Sequence, residues 1–237
     1  MRIGVDLQTV SRFARVAARE RLRGLLFTEA ELDHADRLGP RRATEWLAGR
    51  FSAKEAVYKL LGRGFGQGPR WREIEVLSDR WGAPAVTLEG EARRLADRAG
   101  LRAVTVTLTH QADLVVAVAA ADRVRPRSAH YPKRSDSPIR EDPTPGREPF
   151  MTDTLPESAE PRLREIATIA AEVFSVSVDE VIAAESFTEE LAMDSLLALE
   201  FLTHLETTFG VRIDETESTR MTNLRTTYQV VAETAGW

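Results

Sequence analysis

Proline divides this chain into two parts. Eight of its eleven prolines fall between residues 124 and 161, in a stretch otherwise made largely of Ser, Arg, Asp and Glu. A segment of this composition buries too little apolar surface to fold, so we expect a disordered linker over residues 124–160. The flanking segments, residues 1–123 and 161–237, are each long enough for a small domain.

The two flanking segments carry opposite charge. Residues 1–123 hold 21 basic against 16 acidic residues, whereas residues 151–237 hold 5 against 17. A basic part tethered to an acidic part predicts that the two attract one another.

Other bulk features narrow the class of protein. The chain has no cysteine, which agrees with a reducing compartment. Its first ten residues lack a signal-peptide pattern, and no apolar run approaches the roughly 20 residues that cross a bilayer. We therefore expect a cytoplasmic protein without a membrane partner.

Hydrophobic periodicity differs between the two parts. Before the linker it predicts strands over residues 2–7, 103–108 and 114–119 and helices over 10–26, 43–61 and 90–99. After the linker it predicts helices only, over residues 162–174, 195–209 and 224–234. The fold class is thus an α+β domain followed by an all-α helical bundle.

A serine stands at the start of a predicted helix in the second part. Asp194 and Ser195 precede a helical stretch, and in isolation either is an ordinary helix N-cap. The apolar face of this helix is predicted to comprise Leu196, Leu199, Leu202, Leu205 and Phe209, with Glu200 and Glu206 on the exposed side.

The longer pattern D-S-L-x-x-x-E-x-x-x-x-L-E-x-x-F-x-x-x-I, over residues 194–213, resembles the acyl carrier protein family. The resemblance covers about residues 160–235. It implies that Ser195 carries 4′-phosphopantetheine as a phosphodiester, and that Asp194, Glu200 and Glu206 lie on the face that partner enzymes recognise. The usual glycine two residues before the aspartate is replaced here by Ala192.

The first part contains four separated motifs. They are G-x-D-x-x-x-x-x-R-F from residue 4, F-T-E-x-E-L from residue 27, G-R-F-x-A-K-E-A-x-x-K-x-L-G-x-G from residue 49 and T-x-T-H from residue 107. Glu55 and Lys59 share a helix face in the third motif, a spacing that is also common for surface ion pairs. Only Lys54, Lys59 and Lys133 are lysine among 32 basic residues, which favours a specific role for the first two.

Taken in order, these motifs resemble holo-acyl-carrier-protein synthase, the short, trimeric class of phosphopantetheinyl transferase. The resemblance covers about residues 1–122. In that family a carrier serine attacks the phosphorus nearest the pantetheine arm of coenzyme A, and 3′,5′-ADP leaves. Carboxylates that hold Mg²⁺ suit this reaction, because the charge of the pyrophosphate must be neutralised.

The resemblance implies a role for each matching residue. It assigns Mg²⁺ binding to Asp6 and Glu55, catalysis to these two and Lys59, and the general base to Glu55 as a hypothesis. Lys59 is expected to contact the pyrophosphate. The residues expected to bind coenzyme A are Lys59, Arg50, His110, Gly62 and Lys54.

Arginines crowd the first helical stretch, at positions 12, 15, 19, 21 and 23. By the resemblance, the carrier docks on this surface, and we assign Arg12, Arg15, Arg19 and Arg23 to it. A surface so rich in arginine could instead bind nucleic acid, but the modest net charge of residues 1–123 argues against this.

Three interpretations of the whole chain remain. The leading one is a homotrimeric transferase that modifies its own carrier, in cis or in trans, for acyl-chain synthases of fatty acid or polyketide assembly. The alternative is a carrier module whose transferase half is inactive and only trimerises the carrier arms. Met151 after the proline-rich stretch also leaves open a joining of two separate proteins.

Overall fold

The computed structural model describes residues 1–63, 68–123 and 160–237. The first two ranges form an α+β domain. Its elements in chain order are β1 (Arg2–Thr9), α1 (Val10–Ala17), α2 (Glu20–Leu26), α3 (Glu29–Asp36), α4 (Pro40–Leu61), a 3-10 turn (Trp71–Glu73), β2 (Ile74–Ser78), β3 (Pro84–Leu88), α5 (Gly90–Arg98), β4 (Leu101–Gln111) and β5 (Leu114–Arg123).

The larger sheet of this domain has the strand order β1-β5-β4, and both pairs are antiparallel. The central strand β5 is a nearly continuous apolar run, and its alternate residues Val115, Ala117, Ala119 and Ala121 are buried. Strands β2 and β3 form a separate antiparallel hairpin.

Helix α4 is the centre of the domain. Apart from Lys59, every residue from 47 to 61 is buried, so the helix is enclosed on all sides. It begins with Pro40 in its first turn and ends at Gly62, whose φ of 76° is the left-handed conformation that stops a helix.

Strand β1 packs closely against α4. A Cβ at Gly4 would overlap the Ala56 carbonyl oxygen and lie 2.6 Å from the backbone nitrogen of Leu60, so only glycine permits this approach. Because side chains alternate along a strand, Asp6 points to the same face as Gly4 and is buried. The contact at Gly4 thereby fixes Asp6 beside the helix.

The third described range forms a helical bundle. Its elements are α6 (Glu160–Phe174), α7 (Val178–Ala183), α8 (Phe187–Glu190), α9 (Ser195–Phe209), α10 (Glu215–Ser218) and α11 (Leu224–Ala235). Phe174, Phe187 and Phe201 pack edge to face at its centre, with ring centroids 5.2 to 6.1 Å apart.

The predicted fold class is confirmed for both domains. The three predicted strands and the three predicted carrier helices are present, each with small shifts at its ends. The helix expected over residues 10–26 is instead two helices, because Arg19 has an extended backbone between α1 and α2. Elements β2, β3 and α3 and the short carrier helices α7, α8 and α10 were not predicted.

The expected linker, residues 124–160, lies outside the described residues except for Glu160, which begins α6. Across the described ranges, no helix combines the length and the apolar character needed to cross a membrane.

Candidate active site and carrier interface

Asp6 is held between two side chains of helix α4. Its Oδ1 accepts a hydrogen bond of 2.8 Å from Lys59 Nζ, and its Oδ2 accepts one of 2.8 Å from Ser52 Oγ. Its side chain is 11% exposed, whereas that of Lys59 is 48% exposed. The site therefore presents a shielded carboxylate next to an ammonium group that incoming phosphate can reach.

Glu55 lies one helical turn before Lys59 on α4 and is 9% exposed. Burial raises the pKa of Glu55 to about 7; a hydrogen bond from Ser195 opposes this shift and the nearby Asp6 carboxylate adds to it. Two carboxylates thus lie close together in a poorly solvated place.

This donor set suits a divalent cation. Two carboxylates that repel one another at low solvation are stabilised by a positive ion, and Mg²⁺ binds through few protein carboxylates with phosphate oxygens and water. In the described ranges no group of three or more potential metal ligands occurs, so Asp6 and Glu55 would supply only part of a coordination shell.

Ser195 is the first residue of α9, and its hydroxyl is near enough to Glu55 to lower the pKa of that carboxyl. Asp194 caps the helix, because its Oδ1 accepts a 2.9 Å hydrogen bond from Leu197 N. The serine of the carrier domain and the carboxylate of the α+β domain are thus brought together in one chain.

Helix α9 lies along the arginines of α1 and α2. Arg12 binds both carboxylate oxygens of Asp194, at 2.6 and 2.8 Å. Arg15 Nε lies 2.8 Å from Glu200 Oε1. Residue numbers increase in the same order along α9 and along the arginines that it contacts. Helix α9 therefore runs in the same direction as the segment that carries these arginines.

The remaining arginines differ in their partners. Arg19 lies 3.5 Å from His204 Nε2. Arg23 instead binds Asp36 of its own domain at 2.6 Å, so its assignment to carrier docking is a correction. Its place is taken by Arg21, which lies 3.3 Å from Glu206 Oε1 and was left out of the predicted set.

The apolar part of this interface differs from the expected helix face. Leu196 and Leu199, each 1% exposed, belong to the hydrophobic cluster of the α+β domain. Leu202 and Leu205 belong to the core of the bundle. The predicted single face of α9 is therefore two faces, because a helix that docks on a partner must be apolar toward both sides.

A cavity of about 380 Å³ lies on the α+β domain, where residues of α3, α4 and β4 line it. Arg50 and His110 both line it, as does Trp46, whose ring lies 4.1 Å from the Arg50 guanidinium carbon. Arg50 also donates to the Val76 carbonyl at 3.1 Å and to Ser78 Oγ at 2.7 Å. Burial lowers the pKa of Arg50 to about 10, which leaves it charged at neutral pH.

Lys54 has a different environment from the one expected. It is fully buried and its ammonium contacts the Leu26 carbonyl at 2.8 Å, the Trp71 carbonyl at 3.2 Å and Glu31 at 2.7 Å. All three of its N–H groups are engaged, which contradicts the prediction that Lys54 binds coenzyme A. Gly62 lies at the end of α4, where its conformation accounts for the glycine.

Comparisons with known proteins give the class first. Residues 2–119 match the family described as "4'-phosphopantetheinyl transferase superfamily", and residues 164–231 match "Phosphopantetheine attachment site". The chain is thus a phosphopantetheinyl transferase domain joined to a carrier domain.

Curated relatives identify the family of the first domain. The holo-[acyl-carrier-protein] synthase of Desulforudis audaxviator is 44% identical over 121 residues, covering 50% of this chain and 90% of that protein. That of Moorella thermoacetica is 40% identical over 117 residues, covering 49% and 89%. This chain belongs to the holo-acyl-carrier-protein synthase family.

Solved structures of the same name are also similar. A complex of the Chronobacterium ammoniagenes synthase with coenzyme A is 33% identical, with a TM-score of 0.46, and covers 52% of this chain and 98% of that one. A Bacillus anthracis synthase in complex with CoA (3',5'-ADP) is 28% identical, with a TM-score of 0.44, and covers 52% and 96%.

Proposed function

We propose that this chain transfers 4′-phosphopantetheine from coenzyme A to Ser195 of its own carrier domain. The observation that carries the proposal is the Arg12–Asp194 ion pair, which holds the residue directly before Ser195 on the transferase and so brings this serine close to Glu55. The ion pairs of α9 with the transferase arginines support it, because they hold the carrier with this serine at the active site.

The chemistry joins Ser195 Oγ to the pantetheine phosphorus of coenzyme A. A new P–O bond forms to Oγ, the bond to the bridging pyrophosphate oxygen breaks, and 3′,5′-ADP leaves with the electron pair of that bond. The hydroxyl proton passes to Glu55, the carboxylate nearest to this serine. Lys59 neutralises phosphate charge from its half-exposed position.

A Mg²⁺ ion held by Asp6 and Glu55 would neutralise the pyrophosphate when bound. Arg50 and His110 are assigned to the 3′-phosphate of coenzyme A, since they line one cavity next to α4 and offer positive charge and hydrogen-bond donors. Gly62 stays an expected contact of coenzyme A through its backbone.

We also infer a homotrimer formed through the α+β domain. Ile3, Val5 and Leu7 are 50 to 60% exposed on the outer face of β1, an apolar surface that a neighbouring subunit would cover. The carrier, once modified, would deliver acyl thioesters to chain-elongating synthases of fatty acid or polyketide assembly.

The inactive-module alternative is less well supported. An inactive transferase would not require Asp6, Glu55 and Lys59 to lie close together. In this chain they form one cluster beside Ser195.

Intact-mass analysis of the purified apo chain with coenzyme A and Mg²⁺, without another transferase, tests the proposal. Wild type should gain one phosphopantetheine, and peptide mapping should place it on Ser195. Ser195→Ala and Asp6→Asn should gain nothing, and a chelator should stop the wild-type reaction. An unmodified wild type would contradict the proposal.

A further inference from the structure

A second contact joins the carrier to the transferase away from helix α9. Glu215, the first residue of α10, accepts a 2.9 Å hydrogen bond from the backbone N–H of Trp71. Trp71 is 3% exposed and begins the 3-10 turn of the transferase domain. Arg70 lies near enough to attract the same carboxylate. Glu215 thus binds a backbone donor at a place where Arg70 attracts its carboxylate and Asp214 and Glu73 repel it.

The residue whose N–H binds Glu215 is itself held in place by the core of the transferase domain. The carbonyl of Trp71 accepts from the buried Lys54 ammonium, which also binds Glu31 and the end of helix α2 at Leu26. Trp71, which supplies the N–H, is therefore anchored to the core through its carbonyl and its buried side chain. A rigid donor can discriminate where an acceptor lies, because little reorganisation precedes binding.

Arg21 contacts the segment that leads into α10. One terminal nitrogen lies 3.3 Å from Glu206 Oε1 and 3.2 Å from the Ile213 carbonyl oxygen. Glu206 Oε1 also accepts a 2.9 Å hydrogen bond from Ile213 N. The two acceptors are thus held together by the folded turn after α9, and an unfolded segment would not present them.

Resting on the proposed function, we infer that residues 206–215 are a second recognition element of the carrier, with Glu215 as its anchor. Contacts along α9 lie close to the axis of that helix, so they resist rotation of the carrier about this axis less than a contact farther away does. An attachment at α10, off the axis, opposes this rotation and directs Ser195 at Glu55. The transferase therefore selects a folded carrier bundle with a carboxylate at the start of this short helix.

The rate of self-modification tests this inference on the full chain at saturating coenzyme A and Mg²⁺. Glu215→Ala should lower the first-order rate roughly tenfold, because a charge-assisted hydrogen bond is lost. The rate of Glu215→Gln should lie between those of the wild type and Glu215→Ala, since the side-chain carbonyl of glutamine still accepts from the Trp71 N–H. The exposed Glu189 gives the matched control, and Glu189→Gln should react at the wild-type rate. The coenzyme A concentration for half-maximal rate should not change.

A second readout follows docking without catalysis. Because the chain has no cysteine, the pair Arg15→Cys and Glu200→Cys would be joined by a short bismaleimide cross-linker when the carrier is docked, since the two long side chains that meet there leave a gap too wide for a direct disulfide. Adding Glu215→Ala should slow this cross-linking by a similar factor, and adding Glu189→Gln should not.

Wild-type rates for Glu215→Ala in both assays would overturn the inference. The inference would also be overturned if Glu215→Ala lowered the rate but also raised the half-saturating coenzyme A concentration and lowered the melting temperature. That result would indicate general damage to the fold. If the wild type is not modified but cross-linking is still sensitive to Glu215, the proposed function is contradicted and the second recognition element is supported.

Discussion

Arg12 binds Asp194 through both terminal guanidinium nitrogens, at 2.6 and 2.8 Å, and Asp194 directly precedes Ser195, the serine that faces Glu55. Asp194 also caps α9 through Leu197 N. One carboxylate therefore both caps the helix and fixes its first turn on the transferase, directly before Ser195. A bidentate pair gives geometric specificity that a point charge does not.

Arg12→Ala should lower the self-modification rate by roughly three- to tenfold, a modest factor because the pair is partly exposed. Arg23→Ala is the matched control, since Arg23 binds Asp36 within its own domain. First-order rates from intact-mass time courses compare the two. Equal losses in both variants would contradict the assignment of Arg12 to docking.

Added salt should slow self-modification. Three ion pairs join the two domains with some solvent exposure, so they weaken as the screening length shortens to roughly 3 Å at 1 M salt. The expected observation is a steady fall in rate with ionic strength at saturating coenzyme A. A rate that does not change with salt would contradict this. It would show that the apolar contacts of Leu196 and Leu199 are sufficient to dock the carrier on the transferase.

Lys54→Met should destabilise the fold by about 3–5 kcal/mol, because it leaves the buried Glu31 carboxylate without its partner. The free energy of unfolding from denaturant titration measures this. The double variant Lys54→Met/Glu31→Gln should recover part of the loss. If Lys54→Met kept full stability but lost coenzyme A binding, the original sequence-based assignment of Lys54 would be restored.

Gly4→Ala should cost at least about 2 kcal/mol, since the added methyl group overlaps the α4 backbone at Ala56. It should also reduce transfer, because β1 would move Asp6 away from Lys59. Thermal unfolding and rate measurements on this variant test both effects, with Gly24→Ala as the control, where a Cβ meets nothing within 4 Å. A neutral result at Gly4 would mean that β1 and α4 can separate without loss.

Motif order was enough to predict both domain classes. Helical spacing, a local property, puts Glu55 and Lys59 on one face of α4, whereas Asp6 reaches Lys59 because β1 packs on this helix at Gly4. The same reasoning failed at Lys54 and Arg23, since a buried partner such as Glu31 or a competing acid such as Asp36 is a tertiary feature. Glu215 was missed because its partner is a backbone N–H, which carries no side-chain signal.

The concentration dependence of the reaction tests the central claim most directly. The full chain is diluted over roughly two orders of magnitude at saturating coenzyme A and Mg²⁺, and the rate constant for modification of Ser195 is measured by intact mass. The account predicts a first-order constant that dilution leaves unchanged, because each carrier is tethered to the assembly that modifies it. A constant that falls in proportion to concentration, or a Ser195 that stays unmodified, would contradict it.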